Sequence, residues 1–323
     1  MTRQELINGL NQVLNQGNQI STVVFAVIRD TYEVKKLNID NEEIVFIQNM
    51  FLLSINDKII NVEEQTIVKV SEADNRANTV FEYDLELPEG LAFYESVLND
   101  QTPNFSFQNN NLSDIDSLII KIGTEEHQLR IFKKLSPVEV FGQGGFLLWK
   151  SNNRLEQFQD QVLRFTPNFN ALLVDDTFVF LDLKLLERSH GFHDVIVREA
   201  NNSLQLVEAL GLLQSTQGII DLLGKTNFAR KVVKIRNSPV LIREIPNDQI
   251  IHFTRTHPSL ANKMRYTDDG SQIILHTKTS RELFIKMLDD AFLTSELTSQ
   301  YYESSAKDVV EEEVQNENQI NEE

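Results

Sequence analysis

The stretch Asn170–Phe192, NALLVDDTFVFLDLKLLERSHGF, contains the clearest change of pattern in this 323-residue sequence. A short apolar run at 171–174 and a run of strand-forming residues at 178–181 flank the turn signal Asp175-Asp176. From residue 183 to residue 188 the apolar positions change to helical spacing. The stretch therefore predicts a β-hairpin that passes directly into a helix.

Before this hairpin, helical segments alternate with short strands. Thr2 and Glu5 have the spacing of a capping box, and an amphipathic helix follows them. The runs 20–29 and 32–37 predict a hairpin, and 41–60 predicts a second amphipathic helix. Further short strands follow closely along the chain, and a helix is predicted at 91–98. Close spacing of strands favours an antiparallel sheet over βαβ units.

After the hairpin, helical patterns dominate. They cover 193–213, 218–223, 226–236 and 248–255, with a lone strand at 272–276. Thr279 and Glu282 have the spacing of another capping box before the last amphipathic helix. We therefore predict an α+β fold, with an N-terminal β-rich part that contains an antiparallel sheet and a few helices, followed by a mainly helical C-terminal part. The predicted divisions are an acidic domain at 1–168, a domain with a basic segment at 169–307, and a disordered acidic tail at 308–323.

Composition excludes several classes of site. The chain has no cysteine, which rules out disulfides, thiolate zinc sites and cysteine nucleophiles. Its six histidines include no His-Glu-x-x-His pattern, and no nucleophile elbow is present. No run approaches 18 consecutive apolar residues, and the N-terminus lacks an apolar signal core. The sequence thus predicts a cytoplasmic protein, and it points to no catalytic residue, metal ligand or cofactor.

The distribution of charge is uneven. The formal net charge is −18. Between Lys225 and Lys286, however, there are 12 Lys and Arg residues and 5 Asp and Glu residues. From Met287 to Glu323 there are 1 basic and 11 acidic residues. A basic segment therefore stands between two acidic ones, so the negative net charge does not exclude a polyanionic partner such as nucleic acid.

The basic segment contains a helix with two different faces. On a helix at 226–236, Phe228, Val232 and Ile235 fall on one face, and Arg230, Lys231 and Lys234 fall on the other. Such a row of cations suits a phosphate backbone, and it equally suits a solvated face paired with the acidic part of the chain. The other cations that would widen the patch, if the fold gathers them, are Arg255, Lys263, Arg265, Lys278 and Arg281. The candidate DNA-binding residues are Lys225, Arg230, Lys231, Lys234, Arg236 and Arg243.

Two further patterns resemble known kinds of site. Asp175 or Asp176, followed by Asp182 and Lys184, has the loose spacing of a Mg²⁺-dependent nuclease, in which carboxylates hold the metal and lysine stabilises charge. The same residues are explained by turn chemistry and by the start of a helix. Gly-Lys-Thr at 224–226 lacks the preceding strand and the glycine spacing of a phosphate-binding loop.

The hairpin, the following LERSHGF at 186–192 and the late segment LFIKMLDDAFLTSELTSQYYESSAK at 283–307 resemble the KwaB family of the Kiwa antiphage defence system. The resemblance implies an effector that binds phage DNA and suppresses replication and late transcription without needing to cut it. It also implies a homodimer, and recruitment to the inner face of the cell membrane by a KwaA-like membrane protein. It transfers no catalytic residue.

Besides the metal-dependent nuclease, a non-catalytic docking protein without direct DNA contact remains open from the sequence. In that reading the acidic N-terminal part docks on a basic cytoplasmic surface of a membrane partner, and the basic segment only pairs within a dimer.

The tail at 308–323 is interpreted first as a solubilising extension. The opposite charges of the basic segment and of the tail also give the hypothesis that the tail competes with DNA for the basic segment.

Overall fold

The structure is a computed structural model that describes most of the chain. The described residues are 1–73, 77–96, 98–99, 101–136, 139–141, 147–151, 154–158, 161–188 and 191–304. The predicted acidic tail at 308–323 lies outside the described residues, as do Ser189 and His190 of the LERSHGF motif.

The first half of the chain supplies two long helices and most of the strands. A π-helical turn, Asn56–Ile60, continues the second helix, and a 3₁₀ helix, Glu89–Glu95, stands where an ordinary helix was predicted at 91–98. The elements are α1 Arg3–Leu14, β1 Ser21–Ile28, β2 Val34–Lys36, α2 Asn41–Ile55, β3 Thr66–Lys69, β4 Thr79–Glu82, β5 Ile115–Gly123, β6 Gln128–Lys134, β7 Val140–Phe141, β8 Leu147–Ser151, β9 Arg154–Phe158 and β10 Val162–Leu163.

The second half opens with the predicted hairpin and is then mainly helical. The elements are β11 Ala171–Val174, β12 Thr177–Phe180, α3 Lys184–Arg188, α4 Phe192–Ala209, α5 Gln217–Ile220, α6 Thr226–Lys234, α7 Pro239–Ile242, α8 Asn247–Thr256, β13 Arg265–Tyr266, β14 Ile273–Ile274, α9 Lys278–Leu288, β15 Phe292–Thr294 and β16 Tyr301–Glu303.

Among the described residues, the main sheet has eight strands in the order β2-β1-β5-β6-β11-β12-β4-β3. Its neighbours are antiparallel except for β3 and β4, which run parallel. The hairpin β11/β12 lies inside this sheet, between β6 and β4. The predicted division between 168 and 169 therefore falls between strands of one sheet, and the two-domain organisation stays a prediction.

Helices cover both faces of this sheet because its strands are apolar on both sides. On one face, Val24, Ile120 and Leu172 pack with the buried residues of α1 and α2. On the other, Phe132 and Phe180 pack with α4, α6 and α9. Successive side chains of a strand point to opposite faces, so the central strands β1, β5, β6, β11 and β12 contribute to both cores. The predicted α+β class is confirmed, with helices more prominent in the C-terminal half.

The hairpin turn is fixed by local geometry. Asp175 and Asp176 have φ values of 47° and 62°, the left-handed conformation that a two-residue turn between antiparallel strands requires. Helix α1 passes close to this turn, since a Cβ at Gly9 would lie 2.5 Å from Asp175 Oδ2 and 2.8 Å from Val174 Cγ1. Glycine at position 9 therefore permits the contact between α1 and the hairpin.

Helix starts were predicted with mixed success. The Thr2/Glu5 capping box is confirmed, with Glu5 N donating to Thr2 Oγ1 at 3.2 Å. The box at Thr279 and Glu282 is wrong, because α9 begins two residues earlier. Thr277 Oγ1 accepts from Ser280 N at 3.0 Å, and Ser280 Oγ accepts from Thr277 N at 3.0 Å. A hydroxyl at the third helical position thus replaces the expected carboxylate.

Two short hairpins were missed in the C-terminal half. The strand predicted as lone at 272–276 is β14, which pairs with β13. The last predicted helix ends at Leu288, and the residues after it form the hairpin β15/β16. Both pairings join strands of two or three residues, which are too short to show a period of two in the sequence.

Candidate nucleic-acid interface

Helix α6 carries the predicted cationic row, and its opposite face anchors it. Phe228 and Val232 are buried against the core, and Ile235 is buried in the 3₁₀ turn that continues the helix to Asn237. Ser203 of α4 donates to the carbonyl of Val233 at 3.3 Å. The predicted apolar face is therefore confirmed, and the cations between these positions lie toward the outside.

Two of the cations on α6 are held by carboxylates from neighbouring helices. Arg230 forms a salt bridge with Glu187 of α3. Lys234 Nζ lies 3.2 Å from Asp289 Oδ2, just beyond the end of α9. Both basic side chains are largely buried by these contacts. Arg230 and Lys234 thus tie α6 to its neighbours, which limits how far either can turn toward a ligand.

Arg236 is held even more firmly. Its guanidinium lies 3.1 Å from Glu199 of α4 and 3.3 Å from Asp84, just after β4. A guanidinium shared between two carboxylates is well placed to join layers of the fold. Arg236 therefore connects the helical layer to the segment that follows β4.

The other three of the six candidate DNA-binding residues differ from Arg230, Lys234 and Arg236, because they are exposed and form no salt bridge among the described residues. Lys225, Lys231 and Arg243 are all exposed to solvent. Within the described part of the chain, no carboxylate forms a salt bridge with any of them. Arg243 follows α7, whereas Lys225 and Lys231 flank the first turns of α6. These two lysines are the candidates that keep their freedom to contact a ligand.

The first turns of α6 and α9 enclose a pocket of about 540 Å³. Lys225 and Lys231 line it from α6, and Lys278 lines it from α9. Lys278 Nζ lies 3.6 Å from Glu282 Oε1. This exposed pair, four residues apart on α9, contributes little to stability. The fold thus brings Lys278, far away in sequence, to the two exposed lysines of α6.

Lys231 also lines a second pocket, of about 300 Å³, between α6 and the end of α9. Lys286 is a further cation here that the sequence analysis did not single out. Its position on the polar side of an amphipathic helix was the available signal. Together the two pockets form what we call the cationic surface, with the basic residues Lys225, Arg230, Lys231, Lys234, Lys278 and Lys286. Its acidic neighbours are Glu187, Glu282, Asp289 and Glu303.

The remaining cations of the basic segment are placed elsewhere. Arg255 stacks on the ring of Tyr266 at 4.3 Å and donates to the carbonyl of Gly270 at 3.3 Å. Arg281 Nε donates to the carbonyl of Leu275 at 3.4 Å. Lys263 and Arg265 are exposed but line neither pocket. The fold therefore gathers only part of the basic segment.

The nuclease pattern is separated by the hairpin. Asp175 and Asp176 form the turn at one end of β11/β12, and Asp182 follows the other end. Four residues of extended strand place these ends about 13 Å apart. Asp182 Oδ1 accepts from Lys184 N at 2.9 Å and so caps α3. Among the described residues, no group of three or more His, Asp or Glu side chains is arranged to hold a metal ion.

An apolar surface lies on the opposite side of the sheet. Phe46 of α2 is 70% exposed and Phe107 is 58% exposed, and both line a groove of about 650 Å³. Glu42 and Glu43 stand on its rim. The signal for it was present in the helical pattern at 41–60, because Phe46 falls off the predicted apolar face. Exposed aromatic residues of this size indicate an interaction surface.

In the described residues, no helix combines the length and apolar character needed to cross a bilayer.

Comparison with known proteins is informative at the level of sequence. The chain is 28% identical over 319 residues to Kiwa protein KwaB of Escherichia coli O55:H7 (strain RM12579 / EPEC), an alignment that covers 97% of this chain and 100% of that protein. No solved structure matches the chain. The family model described as Kiwa protein KwaB-like matches residues 112–298. This match contains the central strands of the sheet, the hairpin β11/β12 and the helices that form the cationic surface, and the chain accordingly belongs to the KwaB-like family of Kiwa antiphage defence proteins.

Proposed function

We propose that this protein acts in Kiwa defence by binding double-stranded phage DNA through its cationic surface. The observation that carries the proposal is the convergence of Lys225, Lys231 and Lys278 on one open pocket. Exposed ammonium groups on flexible stems can each meet a phosphate without breaking a contact that holds the fold. Binding of this kind displaces condensed counterions and is largely independent of base sequence.

The acidic character of the rest of the chain supports contact through one face. A net charge of −18 repels a polyanion from most of the surface. Arg230, Lys234 and Arg236 add little net charge to this face, because carboxylates neutralise them, and their role is to hold α6 in place. Arg243 is a peripheral contact in this arrangement, because it is exposed but lines neither pocket.

In the cell, the proposed role is to block phage DNA replication and late transcription by occupancy, without cleavage. We propose that the chain acts from the cytoplasm as a homodimer, held at the inner face of the membrane by a KwaA-like partner. Neither role requires a cofactor.

The test is a salt titration of binding to a fluorescent DNA duplex. Replacing Lys225, Lys231 and Lys278 with Glu should weaken binding at 50 mM salt by at least about 10-fold. It should also make the slope of log K against log salt less negative by about 0.9 for each lost phosphate contact. Unfolding by urea should change little, because all three side chains are exposed.

The matched control is Lys69→Glu, Lys150→Glu and Lys263→Glu, three exposed lysines outside both pockets. It makes the same change in net charge, so equal weakening by the two triple variants would contradict a localised interface. The titration is repeated with Mg²⁺, and the strands are inspected afterwards. Strand cleavage that needs Mg²⁺ would overturn the proposal of occupancy and favour a nuclease.

A second candidate function rests on the apolar groove. Its exposed Phe46 and Phe107, together with Glu42 and Glu43 on the rim, fit an apolar partner segment flanked by basic residues. In this alternative the chain docks on the cytoplasmic side of its membrane partner and does not touch DNA. Phe46→Ser with Phe107→Ser should abolish co-purification with the KwaA-like partner, and the unmodified chain should not bind DNA at about 50 mM salt. If both surfaces act instead, the Phe46/Phe107 variant should keep its DNA affinity, and the lysine triple variant should still co-purify with the partner.

A further inference from the structure

The C-terminal end of the described chain runs along the cationic surface. The hairpin β15/β16 packs on the core through Phe292, and its second strand ends at Glu303. Glu303 forms a salt bridge with Lys286, and Ser304 N donates to the carbonyl of Ala291 at 2.8 Å. Both Glu303 and Ser304 line the smaller of the two cationic pockets, with Lys231. The chain therefore leaves the described structure at the edge of the cationic surface.

The segment that follows has the opposite charge. Residues 305–323 contain seven Asp and Glu residues and one lysine. Three of the carboxylates, Glu311, Glu312 and Glu313, are consecutive. Glu303, the last acidic residue before this segment, already pairs with a lysine of the surface. Charge complementarity thus begins within the described residues and increases along the chain.

We propose that the acidic segment 308–323 binds the cationic surface of its own chain and competes there with DNA. The inference rests on the proposed function, since it assigns a regulator to the same surface. Its occupant is a named segment of this chain rather than a second protein. The segment acts as a tethered anion that incoming phosphates must displace.

The distances permit this contact. Nine residues separate Ser304 from Glu313, and an extended chain of that length spans at most about 30 Å. Lys231 belongs to the pocket that Ser304 itself lines, so the acidic triplet does not need its full reach. A short tether also gives a local concentration on the order of millimolar, at which even weak ionic contacts are populated.

We expect the acidic segment to lower the affinity for DNA moderately and in a way that depends on salt. Exposed ion pairs are individually weak and are screened by salt. Several of them on one tether can reduce DNA affinity by about 3-fold to 10-fold at 50 mM salt. A DNA duplex presents a higher density of charge than the segment and can therefore displace it.

The first test applies the same DNA titration to three versions of the chain. One is the unmodified chain, one lacks residues 308–323, and one keeps its length but has the five acidic residues between 308 and 317 replaced by Asn or Gln. We expect both altered chains to bind DNA about 3-fold to 10-fold more tightly at 50 mM salt, and we expect the gain to shrink as salt rises. Unchanged affinity at low salt would overturn the inference.

A matched control separates displacement from general repulsion. The exposed carboxylates Asp30, Asp40, Asp57, Glu63 and Glu64 lie in the N-terminal half of the chain, outside both cationic pockets and outside the apolar groove. Replacing these five with Asn or Gln makes the same change in net charge. A gain in DNA affinity as large as that of the altered segment would contradict competition at the cationic surface.

A second measurement does not involve DNA. A fluorescent peptide with the sequence of residues 305–323 is titrated into the chain that lacks 308–323, and its anisotropy is followed. Binding that is lost in Lys231→Glu and kept in Lys263→Glu supports the contact, and no binding at low salt overturns it. If the peptide binds but DNA does not, the proposed function fails and the contact stands. If DNA binds equally with and without the segment, the inference fails and the function stands.

Discussion

The buried surroundings of Lys133 and the outer side of helix α6 both place cations beside carboxylates, but the cations of the two regions differ in their access to water. Lys133 of β6 is 2% exposed, and its Nζ lies 2.7 Å from Glu139 Oε1. It also donates to Thr166 Oγ1 at 2.7 Å and to the carbonyl of Asn168 at 2.9 Å. Lys231 of α6 is exposed and opens on two pockets.

The difference teaches how burial divides structural cations from available ones. An ammonium without access to water must keep all its partners, because an unpaired buried charge is costly. Lys133 therefore fixes the segment before β11 to the sheet and cannot bind a ligand. An exposed lysine exchanges partners at little cost, since water and salt replace each contact. The largest consequences of mutation should accordingly lie in the first region and the smallest in the second.

The largest effect is expected from Lys133→Met, which leaves Glu139 buried with its main cation removed. The free energy of unfolding should fall by about 3–5 kcal/mol, the usual cost of breaking a buried pair from one side. Urea unfolding followed by circular dichroism measures it.

Its control is the double variant Lys133→Met with Glu139→Gln. This pair removes both charges, so it should recover a substantial part of the lost stability. A double variant as unstable as the single one would show that packing, rather than an unpaired charge, dominates this region.

The same pair should make stability depend on pH. Burial alone raises the pKa of Glu139, but hydrogen bonds from Lys133, Thr166 and Ser136 outweigh burial and lower the pKa to about 2. The carboxylate is then more acidic in the folded chain than its unfolded value of about 4.3. Its contribution to stability is complete above that value and is lost as pH falls toward 2.

Urea unfolding at pH 6, 4 and 3 tests this sign. Other carboxylates also titrate in this window, so the informative quantity is the difference between the unmodified chain and Glu139→Gln. That difference should narrow as the solution becomes more acidic. A constant difference across the three pH values would contradict the assignment.

An intermediate effect is expected from Arg236→Ala. Arg236 is 30% exposed and bridges Glu199 and Asp84, so its loss should reduce the free energy of unfolding by about 1–2 kcal/mol. The matched control is Arg198→Ala, because the Arg198–Glu86 pair is exposed at both ends and should contribute less than about 1 kcal/mol. Equal losses in the two variants would remove the distinction between bridging and surface arginines.

The smallest effect on stability is expected from Lys231→Ala, below about 0.5 kcal/mol. If the cationic surface binds DNA, this variant should nevertheless make the salt slope of binding less negative by about 0.9. Lys263→Ala, another exposed lysine, should change neither quantity. A large loss of stability in Lys231→Ala would show that Lys231 is a structural cation like Lys133, and it would contradict the distinction between the two regions.

Much of the fold was readable from local pattern. The hairpin at 171–180, the capping box at Thr2 and the two faces of α6 follow from side-chain periods of 2 and 3.6 residues, which are properties of consecutive residues. The order of strands in the sheet was not readable in this way. The parallel pairing of β3 with β4, and the insertion of β11/β12 between β6 and β4, depend on which apolar faces bury each other.

The candidate interface shows even more clearly that sequence pattern does not reveal which residues meet in space. The sequence identified a basic helix, but counting charge along the chain made Arg230, Lys231 and Lys234 look equivalent. Glu187 stands 43 residues before Arg230, and Asp84 stands 152 residues before Arg236, so neither partner belongs to the same charged segment. Lys278 and Lys286 joined the surface only through the packing of α9 beside α6.

The sequence by itself determined the hairpin at 171–180, most of the longer helices, the two faces of α6, and that the basic residues between Lys225 and Lys286 outnumber the acidic ones. Only the tertiary structure decided which of those cations are paired and which are exposed. The physical reason is that apolar periodicity acts between neighbours along the chain, whereas the state of a charge depends on the carboxylates and the solvent around it in space.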